Sequence, residues 1–71
     1  MAEQIYAEMV ANVFSVAVAE GEHVEAGATL LVLESMKMEI PVLCESGGMV
    51  AEVKVRPGDV VQEGDVLVVV T

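Results

Sequence analysis

Few side chains in this sequence have the types that do chemistry or offer themselves to it, and Lys37 stands out among them. It is one of two lysines in an acidic chain of 71 residues, at the midpoint, with Met36 on one side and Met38 on the other. A primary amine is an acyl acceptor once neutral, and a lone amine between two large flexible apolar side chains reads as a group to be found and modified by another protein. His23, the only histidine, has no Cys or His at ligand spacing, so it reads as a surface or packing residue and no metal site is expected. Cys44 is the only cysteine; it cannot form an internal disulfide and reads as a small buried hydrophobe in a strand. No acid is paired with a base, no nucleophile has a partner, and no glycine-rich phosphate loop is present, so the chain itself is expected to catalyse nothing.

The elements that must position Lys37 follow from an internal repeat. Sliding the sequence by 37 positions, the separation of Val13 from Val50, also superimposes Val16 on Val53, Val18 on Val55, Gly21 on Gly58, Val24 on Val61, Gly27 on Gly64, Leu30 on Leu67 and Val32 on Val69, without a gap. Each copy alternates apolar strands with glycine turns, which predicts two interlocked β-layers around one core. Strands are expected near Gln4 to Met9, Asn12 to Val18, His23 to Glu25, Thr29 to Glu34, Glu39 to Leu43, Met49 to Val55, Val60 to Gln62 and Asp65 to Val70; no window supports a helix. Gly21, Gly27, Gly58 and Gly64 are expected turns of positive φ, Pro57-Gly58-Asp59 is a strong turn signal, and Ser46-Gly47-Gly48 opens the second copy. The counterpart of Lys37 falls off both ends of the chain, so Lys37 should mark one pole and the termini the other. Between the strands ending at Glu34 and starting at Glu39, Ser35-Met36-Lys37-Met38 must make a tight hairpin with neither Gly nor Pro. The preferred Asn-Gly or Asp-Gly chemistry is missing, and a local rule broken in this way tends to mark function.

Composition bounds the class. A chain of this length is expected to be a single domain, spanning residues 1–71, that buries only about 60% of its unfolded surface. With 55% apolar residues and only Tyr6 and Phe14 as aromatics, its core must be aliphatic and β-branched. The most apolar stretch, Met9 to Ala19, is broken by Asn12 and Ser15 and is far short of the roughly 20 residues a spanning helix needs. The N-terminus lacks the features of a signal peptide, which predicts a cytoplasmic protein. Twelve acidic residues against three basic ones give a net charge of −9, which argues against nucleic acid and anionic membranes as partners. The acids at Glu20, Glu22, Glu25, Glu45 and Glu63 read as a solvated surface that keeps an apolar chain in solution. Lys54 is expected mid-strand on a solvated face, and so not offered as Lys37 is.

The segment Glu34-Ser35-Met36-Lys37-Met38-Glu39-Ile40 closely resembles the attachment motif of biotinyl domains, the biotin carboxyl carrier proteins and their short relatives, the biotin/lipoyl attachment proteins. The resemblance covers essentially the whole chain. It implies an all-β, flattened β-barrel (a barrel-sandwich hybrid) of two four-stranded antiparallel sheets related by a pseudo-two-fold, with biotin amide-linked to Lys37. Glu34, Ser35, Met36, Met38, Glu39 and Ile40 would be recognised around it. Lipoyl domains share the fold and the lysine, but their turn resembles Asp-Lys-Ala; methionine on both sides points to biotin. Where the family often has Ala-Pro-Met/Leu-x-Gly, this chain has Ala7-Glu8-Met9-Val10-Ala11, and Ser35 stands where Ala is commoner. The gapless repeat leaves no room for the protruding insertion of some acetyl-CoA carboxylase carriers.

The partners implied are a biotin protein ligase and the biotin carboxylase and carboxyltransferase components of a biotin-dependent carboxylase, served by a monomer that diffuses or docks weakly. Amide formation needs the neutral amine, so deprotonation belongs to the ligase site. A lipoyl carrier and an unmodified interaction module are the other readings of the same barrel, because fold alone does not set function.

Overall fold

The alternation of β-branched residues with small and polar ones sets down eight strands in the computed structural model, which describes residues 2–71. They are β1 (Glu3–Tyr6), β2 (Ala11–Val16), β3 (His23–Val24), β4 (Thr29–Ser35), β5 (Met38–Leu43), β6 (Gly48–Val53), β7 (Val60–Val61) and β8 (Val66–Val70). No helix is long and apolar enough to cross a membrane among the described residues. The strands form two four-stranded antiparallel sheets, ordered β1-β8-β6-β3 and β5-β4-β2-β7. Their inner faces close on one aliphatic core in which Leu30, Leu31, Leu67 and Val68 are wholly excluded from water. Each such side chain contributes roughly 1.5–3 kcal/mol relative to exposure.

The repeat seen in the sequence is carried into the hydrogen bonding. Val13↔Leu33 and Ser15↔Val32 in one half reappear as Val50↔Val70 and Glu52↔Val69 in the other, with the same bulge at Phe14 and at Ala51. Gln4↔Val69 likewise answers Pro41↔Val32, and Tyr6↔Val66 answers Leu43↔Thr29. The operation relating the halves therefore exchanges the two sheets, which is the expected pseudo-two-fold. Its turns repeat too: Asp59 N–H donates to the Arg56 carbonyl at 3.1 Å, as Glu22 N–H does to Ala19 at 3.1 Å. In Arg56-Pro57-Gly58-Asp59, proline presets the first central residue and Gly58, at φ +95°, supplies the positive φ that a type II turn needs at the second.

Strand ends differ from expectation where the chain changes sheet. The first strand was expected to reach Met9 but stops at Tyr6, after a bulge. Ala7 turns inward, 2% exposed, and its backbone bonds to Gly64 and Asp65 instead. Cys44, the counterpart of Ala7, makes the same corner with Gly27 and Ala28. It is buried as expected, but it lies just past β5 and not within a strand. Lys54 is also outside its strand, one residue beyond β6, because the sheet pairing at that end narrows to the single bond from Lys54 N–H to the Leu67 carbonyl.

The pairing sets the poles. β5 leaves the hairpin at Met38 and runs away from it for six residues, roughly 17–20 Å. Three residues beyond its end, Ser46 Oγ donates to Glu3 Oε1 at 2.7 Å, and Glu3 pairs with Val70. In a molecule 32 Å long and 18 Å wide, Lys37 and the described residues nearest the termini thus sit at opposite ends.

Candidate functional site

Strands β4 and β5 pair from Thr29↔Leu43 up to Ser35↔Met38, which leaves Met36 and Lys37 as the whole loop. A two-residue hairpin loop takes a turn with positive φ at both central positions to match the twist of its strands. Met36 is at φ 51° and Lys37 at φ 64°, and no other non-glycine residue of the described chain has positive φ. Left-handed backbone costs an L-residue roughly 1–2 kcal/mol. The β4–β5 ladder bears this cost: Leu31 and Leu33 are buried, and Ile40 and Val42 pack against the core from the facing strand. A strained apex on a well-packed ladder holds its amine in a reproducible place.

The side chains around the apex divide by environment. Met36 is 91% exposed and Met38 65%, so neither fills the core. Lys37 is exposed, and among the described residues it has no hydrogen bond or ion pair within bonding distance. Lys54 differs in that its Nζ lies 3.2 Å from Glu52 Oε1. Two chemically identical amines are thus distinguished by a neighbouring carboxylate as well as by position. Glu34 and Glu39 face one another across the ladder, one half-buried and the other exposed, while Ser35 is half-buried in the pair that closes the turn. Ile40 leans into the core opposite Leu33, so of the motif residues it is the one with a clear packing duty.

The remaining candidates do not join this site. His23 Nε2 lies 2.7 Å from Glu25 Oε2 on the surface, and no group of metal-ligating side chains occurs among the described residues. Cys44 Sγ accepts the Gly47 N–H at 3.2 Å. A cleft of about 290 Å³ lies between the sheet edges β1 and β5, lined by residues such as Ile5, Tyr6, Ile40 and Val42, and includes neither Lys37 nor its methionines. The apex therefore displays its amine and does not enclose it. That geometry fits a covalent group whose far end must travel, and not one held in a pocket.

A family model described as biotin-requiring enzyme matches residues 2–70. The chain belongs to that family. It is 51% identical over 71 residues to the biotinylated protein TB7.3 homolog of Mycobacterium leprae, covering the whole of both chains. It is 48% identical over 60 residues to the biotin/lipoyl attachment protein of Bacillus subtilis, covering 84% of this chain and 82% of that one. Its fold superimposes on the Kluyveromyces lactis urea carboxylase with a TM-score of 0.93 and 34% identity, over 100% of this chain and 6% of the carboxylase. The biotinyl-type barrel is thus found both as a short protein and as a small part of a large carboxylase.

Nothing in the attachment motif points to Phe14 or Val60, which stand exposed on the outer face of the sheet that carries the hairpin. The signal that finds them is the repeat, because their counterparts are Ala51 and His23.

Proposed function

We propose that Lys37 bears the covalent biotin of this biotin carboxyl carrier, with Glu34, Ser35, Met36, Met38, Glu39 and Ile40 forming the surface by which the attachment point is recognised. What supports this is the apex: one exposed amine without a partner among the described residues, on a two-residue loop in left-handed backbone, at the pole away from the termini. The bound group supplies a ureido nitrogen that takes a carboxyl group at one active site and gives it up at another. The chain's own residues supply position. The ladder holds the Lys37 backbone still, the side chain adds a flexible stem, and the exposed thioethers of Met36 and Met38 offer adaptable apolar contact.

The partners on this reading are a biotin protein ligase and the carboxylase and carboxyltransferase components of a biotin-dependent carboxylase. The carrier itself is a non-catalytic, monomeric, cytoplasmic domain spanning residues 1–71. Peptide mass mapping of the protein purified from its native cells tests the assignment: a biotinyl increment on the Lys37 peptide is expected, and none in a Lys37→Arg variant. A lipoyl increment on Lys37, biotin retained by Lys37→Arg, or an unmodified chain would each overturn it.

A further inference from the structure

Because the repeat relates the two sheets, an outward position on either sheet, the apex residues apart, has an internal control. On the sheet carrying the hairpin, a row of residues crosses just beneath the apex: Glu39 opposite Glu34, Glu34 opposite Asn12, and Asn12 opposite Val60. At about 4.8 Å per strand it spans roughly 14 Å. Val60 is 65% exposed at its end, and Phe14, 52% exposed, bulges out beside the Ser15↔Val32 pair just below. The same backbone positions in the other half carry His23 and Ala51, so the fold does not require large apolar side chains there. Glu34 and Glu39 repel one another across the ladder, and their counterparts, Thr71 and Ala2, carry no charged side chain. These departures from the symmetry gather on one face at one pole, next to Lys37. The exposed Met49, the counterpart of Asn12, pairs with Thr71 through its backbone at the other pole.

We infer that this face is the seat of the biotin protein ligase, which meets Phe14 and Val60 with an apolar surface and the Glu34–Glu39 pair with a cationic side chain. The inference rests on Lys37 being the attachment point. The choice of occupant follows from reach and from charge. An enzyme that acylates Nζ must bring its acyl donor to the end of a four-carbon stem, and so must lie against the flank of the hairpin. A carboxylase site meets the end of a much longer arm and can act without touching the sheet. Two facing carboxylates beside an apolar pair call for a partner of the opposite charge, and a desolvated apolar centre with a charged rim is where interface energy concentrates.

Phe14→Ala and Val60→His each install the residue that the other half already carries on the same backbone, so the fold is expected to persist, as thermal melting checks. With purified ligase and unmodified carrier, the double variant should raise KM about tenfold with kcat within about twofold, the size expected for losing an interface anchor. Met49→Asn on the other sheet should leave KM unchanged, and Glu34→Gln with Glu39→Gln should flatten its salt dependence. An unaltered KM in the double variant, or an equal rise from Met49→Asn, overturns the docking face while Lys37 remains the acceptor. Peptide mapping of the wild-type product separates this from failure of the attachment reading, which acylation at another residue would reveal.

Discussion

At the scale of the residue, the informative feature is a methionine and a lysine held where asparagine and glycine, in that order, are preferred. Met36→Gly should relieve left-handed strain, partly offset by the entropy glycine loses on folding, for a net gain of about 0.5–1 kcal/mol. That corresponds to a rise in Tm of about 2–8 °C for a domain of this size. The same change removes a thioether that is 91% exposed at the apex, so the rate of biotinylation should fall. Opposite signs in a thermal melt and a ligase assay are the expected result, and a loss of stability would show that the turn is not strained as described. Acylation of Lys37 removes one positive charge, taking the net charge from −9 to −10, and anion exchange should retain the modified form longer.

The strands and turns carry a second kind of prediction, in which backbone and packing effects separate. A Cβ at Gly58 would meet nothing within 4 Å, so Gly58→Ala should cost only the positive φ, about 1–2 kcal/mol by denaturant titration. At Gly48 a Cβ would collide with the backbone carbonyl of Thr71, so Gly48→Ala should cost more than Gly58→Ala. Eight strands, their order along the chain and the turn glycines were legible in the sequence, because alternation and a gapless repeat are both local signals. The hairpin at Met36-Lys37 was legible for the same reason. The corners at Ala7 and Cys44 were not, since an apolar residue that turns inward between sheets looks like one that continues a strand. The Glu34–Glu39 opposition needed the register, and the patch at Phe14 and Val60 needed both the bulge and the pairing of β2 with β7.

For the whole molecule, equivalence between halves becomes a statement about energy. Leu30 and Leu67 are counterparts and both fully buried. Leu30→Ala and Leu67→Ala should each cost about 2–5 kcal/mol and should match one another within about 1 kcal/mol in urea titrations. A marginal domain of this size would be left close to unfolding by either change. The two-fold also has a topological consequence. Counterparts of Ser35, Met36 and Lys37 would be numbered just after Thr71, in the interval that returns to residue 1. The barrel formed by residues 2–71 is in this sense a ring open at one short turn. Joining residue 71 back to residue 1 through Ser-Asn-Gly and opening the chain between Met36 and Lys37 should give a permuted barrel with an unchanged circular dichroism spectrum and Lys37 as its first residue.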